Sequence, residues 1–332
     1  MDDRLNDLNE KPLVSVLMPT YNVAQYIECA VKSIIHQTYS NFELIIVDDC
    51  SSDGTYEILK QLAKEDQRVI LAQNDKNSKI CITLNKAWAL SKGNFIIRMD
   101  GDDISEPERI EVLLTYLNGH PDIDLVGSQV ISIREDGEVL SYKEYLRTPD
   151  FIHRGNKIAP CVSHIWMARR RVYEKLDGYR NVPFVEDYDF LLRGEKEGFR
   201  YANVEEYLYK VRIRSGNTGS TNGLKQRKAN RFLRSQYRLS AQSEASIEKA
   251  YQKAIRSSSF EQTMYNKAYR HLDIAVQSRR KPWKLVYHVL MGMLESHHIF
   301  RYIVEAVKMR TLLYVENKNL PRLVLTNKLT SS

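Results

Sequence analysis

Residues 95–103 read FIIRMDGDD, an apolar run that ends in three carboxylates. A short apolar run bounded by turn residues is typical of a buried strand. Because a buried carboxylate without a partner costs several kcal/mol, we expect the acids to lie at the carboxyl end of that strand, at the mouth of a cleft. Their oxygen atoms are ligands that Mg²⁺ and Mn²⁺ prefer. The stretch therefore predicts a divalent-cation site; an acidic turn ahead of the next helix is the alternative.

Strands and helices alternate around this stretch. Apolar runs predict strands over 13–18, 42–47 and 69–71, and helical periodicity predicts helices over 24–38 and 79–92. Strands that are apolar throughout and separated by helices indicate a parallel sheet covered on both faces. In such a sheet, ligands bind outside the carboxyl ends of the strands. We therefore expect an α/β fold with its site at one edge of the sheet.

Polar side chains follow three of these strands directly. Tyr21, Asp49 and Asp102 each lie just past a strand end, so a parallel sheet would bring them to one rim. The first strand runs into Pro-Thr-Tyr-Asn without a Gly-x-Gly-x-x-Gly, and the chain has no Walker motif, which argues against a dinucleotide-binding or P-loop protein. The acidic cluster also lacks the glycine and the distal glutamate of an EF-hand loop.

The second half of the body is less regular. Further strands are predicted over 124–130 and 161–167, and an amphipathic helix that ends near Gly198 begins after Glu186 and Asp187. Acids in a first helical turn interact favourably with the helix dipole, which is one interpretation of this pair. The other is that Asp187 points into the cleft as a general base that deprotonates an incoming hydroxyl group.

Four motifs, taken in order, resemble a known family. They are VSVLMPTYN at 14–22, ELIIVDDCSSDGT at 43–55, DGDD at 100–103 and ED at 186–187. Together they are similar to the family 2 glycosyltransferases with a GT-A fold, over residues 12–215. The resemblance implies a mostly parallel sheet flanked by helices. It also implies transfer of a sugar from a nucleotide diphosphate-sugar, with UDP favoured, to an acceptor hydroxyl with inversion at the anomeric carbon.

The resemblance implies donor-binding roles for residues at the strand ends. Thr20 and Tyr21 would flank the nucleobase, Asp49 would hydrogen-bond it, and Asp100 would contact the ribose or the sugar. Lys79 stands where the family often has the glycine of an Asn-x-Gly motif. It would either reach the donor or remain a solvated surface lysine.

The remaining motif residues would supply a metal site and a base. By the same resemblance, Asp102 would ligate Mn²⁺ or Mg²⁺, and Asp103 is close enough to share that role. The metal would neutralise charge on the departing diphosphate. Asp187 would be the base, and Glu186 would support its placement or touch the acceptor. One base without a second, nucleophilic carboxylate suits a one-step displacement.

The chain departs from the family pattern after the last strand of the body. The family often shows Tyr-Arg-x-His there, with a histidine that can bind metal or diphosphate, whereas residues 209–212 read YKVR. Arginine cannot ligate a metal but can hold phosphate through two hydrogen bonds, so Arg212 and Lys210 are candidates to hold the diphosphate. The Gln-x-x-Arg-Trp signature of processive synthases is absent, so we expect one sugar per encounter.

Positive charge is concentrated after the body. The net charge is +7, and residues 225–310 alone carry +12, which leaves −5 for the rest of the chain. Nearly all of 216–332 has helical character, and its basic residues lie beside Trp-, Tyr- and Leu-rich segments, a pattern typical of helices on an anionic membrane surface. A soluble helical region that packs on the body or on a second copy is the alternative. No nucleic-acid-binding motif accompanies the charge, so we expect no nucleic-acid partner.

The sequence thus predicts three segments: a disordered lead over 1–11, a GT-A domain over 12–215 and a basic, all-helical region over 216–332. A polar N-terminus without a signal peptide, and four cysteines without CxxC spacing, indicate a cytoplasmic, reducing location. We expect a peripheral enzyme on the inner face of the cytoplasmic membrane, with oligomerisation left open. Its acceptor would be a saccharide or a lipid-linked saccharide in surface polysaccharide assembly. A sugar-phosphate nucleotidyltransferase and a catalytically silent membrane-associated scaffold are the alternatives.

Overall fold

The computed structural model describes residues 11–214, 222–237, 244–278 and 281–320. The predicted disordered lead therefore lies outside the described residues, apart from Lys11.

The first half of the body alternates strands and helices as predicted. Its elements are β1 (Val14–Thr20), α1 (Ile27–Ile35), β2 (Phe42–Asp48), α2 (Thr55–Glu65), β3 (Val69–Gln73), α3 (Ile80–Leu90) and β4 (Phe95–Arg98). These strands lie in the order β3-β2-β1-β4 and are all parallel. The carboxyl ends of β1, β2 and β4 therefore meet at one edge of the sheet, where a ligand would bind.

Apolar side chains cover both faces of this parallel half. Along β2, Leu44 and Ile46 belong to one buried apolar cluster, whereas Ile45 and Val47 belong to another. Successive side chains of a strand point to opposite faces, so the two clusters lie on the two sides of the sheet. This explains why the strand reads as a continuous apolar run.

The second half of the body extends the sheet in a mixed arrangement. Its elements are β5 (Ile104–Ser105), α4 (Arg109–Gly119), β6 (Leu125–Ile133), β7 (Val139–Lys143), α5 (Pro149–Asn156), β8 (Met167–Arg169), α6 (Arg170–Leu176), α7 (Glu186–Lys196) and β9 (Tyr201–Arg212). The short β8 pairs antiparallel with both β4 and β6, and β9 runs parallel to β6. The predicted class, a GT-A-type sheet flanked by helices, is confirmed.

The strand predicted over 161–167 is wrong, since only Met167–Arg169 pairs as a strand there. The preceding residues are buried in a loop whose backbone is satisfied by asparagine side chains. Asn156 Oδ1 accepts the Cys161 backbone N–H at 2.9 Å, and Asn203 Nδ2 donates to the Cys161 carbonyl at 2.9 Å. Buried backbone groups need such partners, and here they replace a sheet ladder that the apolar pattern had suggested.

The region after the body is helical, as predicted. Its described helices are α8 (Gly223–Tyr237), α9 (Glu244–Ala254), α10 (Ser259–Gln277), α11 (Pro282–Glu295) and α12 (His297–Asn319). Within the described ranges, none of the helices combines the length and the apolar character needed to cross a lipid bilayer.

The described helices of this region contact the body at several places, among them α7 and the start of α5. Tyr188 and Leu192 of α7 share a buried apolar cluster with residues of α8 and α9. Glu316, near the end of α12, is buried and accepts the backbone N–H groups of Arg147 at 3.0 Å and Thr148 at 2.8 Å, together with the Thr148 hydroxyl at 2.8 Å. Thr148 directly precedes α5, so this carboxylate satisfies free donors at the start of a helix of the body.

Candidate active site

A buried arginine lies at the centre of the acidic cluster. Arg98, the last residue of β4, donates from Nε to Asp100 at 3.0 Å and from Nη1 to Glu186 of α7 at 3.1 Å. Burial raises the pKa of Glu186 even though Arg98 opposes that rise. For Asp100, burial is outweighed by the charges of Arg98 and His164, so its pKa lies below the ordinary value. The Arg98 guanidinium thus links Asp100, which is predicted to bind the donor, to Glu186, which precedes the predicted base Asp187.

A second buried arginine supports the same cluster from the other side. Arg109 of α4 donates from Nη2 to the Arg98 carbonyl at 2.7 Å, and its guanidinium lies 4.5 Å from the Tyr209 ring centre. The Tyr209 hydroxyl in turn accepts the Asp100 backbone N–H at 3.0 Å. Burial lowers the pKa of Arg109 to about 10. These contacts hold the backbone between the end of β4 and the acidic residues that follow it.

His164 is a site residue that the sequence reasoning missed. Its Nε2 lies 2.9 Å from an Asp100 carboxylate oxygen, and one ligand atom each of Asp100, Asp103 and His164 lies within 4.8 Å of the others. Two carboxylates and an imidazole are a donor set that suits Mn²⁺ and can accept Mg²⁺, so these residues fit the divalent cation that the family implies. The only signal was the polar Ser163-His164 pair inside an apolar run.

Asp102 and Asp103 lie in different surroundings. The Asp102 carboxylate accepts Arg214 Nε at 2.7 Å, whereas Asp103 is buried and accepts the Arg212 backbone N–H at 2.7 Å. Burial, reinforced by the charges of Asp102 and Asp100, raises the pKa of Asp103 well above its ordinary value. The three residues whose ligand atoms lie close together include Asp103 but not Asp102. The assignment of Asp102 as a metal ligand stays a prediction.

The cations predicted to hold the diphosphate contact protein groups in this structure. Arg212 is buried, and its guanidinium donates to the carbonyls of Asp102 at 2.9 Å and Glu135 at 2.6 Å. Lys210 Nζ lies 2.7 Å from a carboxylate oxygen of Glu106. Their contact with a diphosphate therefore stays a prediction.

The nucleotide side of the rim is built around Asp49. This buried carboxylate accepts the Asn74 side-chain amide at 2.8 Å and the backbone N–H groups of Ser78 at 2.7 Å and Lys79 at 2.8 Å. It thereby holds the loop before α3. Thr20 is buried at the end of β1, and Tyr21, the next residue, is 46% exposed. The structure brings these residues to the predicted edge, and their contacts with a nucleobase stay predictions.

Lys79 has an unusual backbone conformation for a residue with a side chain. Its φ is 72° and its ψ is 165°, a region that is essentially restricted to glycine. The family often has glycine at this position, and glycine would adopt this conformation without strain. In this chain a lysine adopts it instead. Such strain costs on the order of 1–3 kcal/mol and clusters at functional sites. The side chain lines a cavity together with Arg98 and Asp100.

Two cavities meet at Asp187. The donor-side cavity, of about 570 Å³, is lined by Lys79, Arg98, Asp100, Glu186 and other residues. The second cavity, of about 580 Å³, lies between the body and the helices of the C-terminal region. Asp187 and His164 line both, and Asp187 is half-buried with no ion pair in the described parts of the chain. A general base must lie within hydrogen-bond reach of the hydroxyl group that it deprotonates, and the role of Asp187 as that base stays a prediction.

Residues 15–177 match the model of glycosyl transferase family 2. EpsE of Bacillus subtilis strain 168, which is named a glycosyltransferase by inference, is 37% identical over 210 residues, covering 62% of this chain and 74% of the relative. The O-antigen biosynthesis glycosyltransferase WbnJ of Escherichia coli is 34% identical over 215 residues, covering 62% of this chain and 82% of the relative. The chain belongs to glycosyl transferase family 2. This confirms the resemblance and establishes a glycosyltransferase, so the nucleotidyltransferase and scaffold alternatives are not retained.

Solved structures of two proteins show the same fold as this family 2 chain. Staphylococcus aureus TarS 1–349 in complex with UDP-GlcNAc superposes with a TM-score of 0.58 at 17% identity, over 90% of this chain and 92% of that one. The mannosyltransferase PcManGT of Pyrobaculum calidifontis, in complex with GDP-Man and Mn²⁺, gives 0.55 at 17% identity, over 93% and 85%. The superposition extends over most of the chain and supports the fold alone.

Proposed function

We propose that the protein transfers a sugar from a nucleotide diphosphate-sugar, with UDP the favoured nucleotide, to an acceptor hydroxyl with inversion. The observation that carries this proposal is the place of Asp187, a half-buried carboxylate between two cavities. One cavity would hold the donor and the other the acceptor. The complexes of the fold relatives with UDP-GlcNAc and GDP-Man support a nucleotide-sugar donor.

The proton and the bonds move in one step in this proposal. Asp187 takes the proton of the acceptor hydroxyl while that oxygen forms a bond to the anomeric carbon and the bond to the diphosphate breaks. Glu186 is held by Arg98 at 3.1 Å, so it positions the first turn of α7 rather than accepting the proton. Among the described residues, Asp187 is the one carboxylate of the donor-side cavity without an ion pair, which is consistent with direct displacement and inversion of the anomeric carbon.

The donor would be held by groups at the strand ends. Asp100, Asp103 and His164 would hold a divalent cation, which when bound neutralises charge on the leaving diphosphate. Donor-binding roles are proposed for six residues of the rim and its surroundings: Thr20, Tyr21, Asp49, Lys79, Lys210 and Arg212. Asp102 would share the metal site. The exposed ring of Tyr21 offers a face on which a nucleobase can stack.

The experiment that tests the donor site is a calorimetric titration of UDP, GDP and dTDP, each with and without Mn²⁺. It compares the wild type with Asp103→Asn and Asp102→Asn. We expect micromolar binding of one nucleotide that Mn²⁺ strengthens, and loss of the Mn²⁺ effect in Asp103→Asn. Loss only in Asp102→Asn would restore Asp102 as the ligand. No binding of any nucleotide would refute the proposal, and NMR of the product's anomeric proton would test inversion.

The acceptor is proposed to be a lipid-linked saccharide in surface polysaccharide assembly, reached from the inner face of the cytoplasmic membrane. The name of the relative WbnJ supports the pathway class. The structure adds an exposed stripe on α11, where five apolar side chains are each more than half exposed and share one helical face: Trp283, Val286, Tyr287, Leu290 and Leu294. Lys281 and Lys284 stand beside the stripe, which suits an anionic membrane surface.

Vesicle sedimentation tests this surface. Phosphatidylglycerol vesicles should pellet the wild type and leave Leu290→Ser/Leu294→Ser in solution, because each buried leucine contributes about 1.5–3 kcal/mol. Phe260→Ser removes an apolar side chain that is 73% exposed on α10, outside the stripe, and should bind like the wild type. Membrane docking through α11 would be disproved if all three proteins sediment equally with the vesicles, or if the wild type does not sediment with them.

A further inference from the structure

The second cavity has an unusually cationic wall. Arg227, Arg231 and Arg234 line it from α8, and their spacing of four and three residues places them on one face of that helix. Arg301 lines it from α12, and Lys143 lines it from β7 of the body. Three separate elements thus direct positive charge at a single space next to the proposed base.

Part of this charge is already engaged with protein groups. Arg234 Nη2 lies 2.5 Å from a carboxylate oxygen of Glu305. Arg227 stacks 3.7 Å from the Tyr302 ring centre and donates to a tyrosine hydroxyl, that of Tyr265, at 2.9 Å. These contacts hold α8 and α12 in place and build the wall of the cavity.

The two remaining arginines of the wall are not engaged in this way within the described part of the chain. Arg231 and Arg301 are both exposed to the cavity, and no carboxylate lies within ion-pair distance of either among the residues that the structure describes. The other acids of the lining are Glu144 and Asp187, so the cavity keeps an excess of positive charge. Guanidinium groups bind phosphate oxygens through paired hydrogen bonds, which lysine cannot do.

We propose that this cavity binds an acceptor that carries a phosphate group, with Arg231 and Arg301 as its phosphate-recognising residues. The proposal rests on the proposed function, because it places the acceptor hydroxyl at Asp187 and the phosphate farther along the same cavity. The volume of about 580 Å³ falls within the range of small-molecule sites. The donor diphosphate would lie in the first cavity, which Asp100 and His164 line.

Two kinds of acceptor carry phosphate, and two probes separate them. The first is geranyl diphosphate-linked N-acetylglucosamine, which represents a lipid-linked saccharide. The second is a glycerol-phosphate oligomer, which represents a phosphodiester polymer. Octyl glucoside is the neutral comparison. Calorimetry in the presence of UDP and Mn²⁺ should show one phosphate probe binding at least about tenfold more tightly than octyl glucoside, and the probe that does so identifies the source of the phosphate.

Substitutions assign the effect to the cavity. Arg231→Gln/Arg301→Gln should weaken the preferred phosphate probe by roughly ten- to a hundredfold and leave octyl glucoside unchanged. Arg310→Gln removes an exposed positive charge from the same helix as Arg301 but outside the cavity, and should bind like the wild type. Equal affinity for charged and neutral probes, or an equal loss in Arg310→Gln, would overturn the proposal.

A parallel titration of UDP keeps this test separate from the proposed function. UDP affinity should be the same in the wild type and in all variants, because neither arginine lines the donor-side cavity. Normal UDP binding without a preference for phosphate would contradict the acceptor proposal alone. Absence of UDP binding in the wild type would instead contradict the proposed donor site.

Discussion

Removal of the Glu316 carboxylate should detach the end of α12 from the body. Three donors contact this buried side chain: two backbone N–H groups and one hydroxyl, from Arg147 and Thr148, at 2.8–3.0 Å. A hydrogen bond to a charged group contributes about 1.5–3 kcal/mol. Because both donor residues are only half-buried, water can replace part of the loss, so Glu316→Ala should lower the free energy of unfolding by about 3–5 kcal/mol.

Urea unfolding followed by circular dichroism measures this loss. Glu316→Gln keeps an acceptor oxygen without the charge and should lose about half as much, roughly 1.5–2.5 kcal/mol. Asn319→Ala, an exposed position on the same helix, should be close to the wild type. Since Met309 and Leu313 of α12 line the second cavity, Glu316→Ala should also reduce sugar transfer more than UDP binding. A stability loss below about 1 kcal/mol would show that this contact does not anchor α12.

Further substitutions probe the catalytic side of the molecule. Asp187→Asn should lower kcat by about 10²–10⁴-fold with unchanged UDP affinity, as expected for a general base; a smaller change in a transfer assay would point to another base. Arg98→Met should cost about 3–5 kcal/mol in urea unfolding because it leaves the buried Glu186 carboxylate without its cation, and Glu186→Gln in that background should recover part of the loss if the pair is coupled. Lys79→Gly should raise stability by about 1–3 kcal/mol while weakening UDP binding, and a loss of stability would argue against backbone strain. His164→Ala should weaken Mn²⁺ affinity at least about tenfold, measured by Mn²⁺ electron paramagnetic resonance.

The parallel half of the sheet could be predicted because its signals are local. Each of β1, β2 and β4 is a short apolar run followed at once by polar residues, and the strand order then places Tyr21, Asp49 and Asp100 at one edge. The helices of the C-terminal region were predicted for the same reason, since their periodicity lies within single segments. Boundaries shifted by a few residues, which is the usual precision at helix ends.

The rest of the site depends on contacts between distant segments. His164 reaches Asp100 because β8 pairs antiparallel with β4, and no pattern near residue 164 reveals that pairing. Arg98 could have been noticed as the one charge in an apolar strand, but its partner Glu186 lies 88 residues away. The cationic cavity likewise forms only when α8 and α12 are folded against the body.

The stretch that matches the family, residues 15–177, ends before Asp187 and before all the described helices of the C-terminal region. One side of the second cavity is therefore built from chain outside the stretch that the family model matches. Changes in α8 and α12 can accumulate without disturbing the parallel strands that would bind the nucleotide. Gene duplication followed by divergence of this one stretch would yield enzymes that draw on the same activated sugar and attach it to different glycans, and exchange of the helices between relatives offers the same route to an engineer.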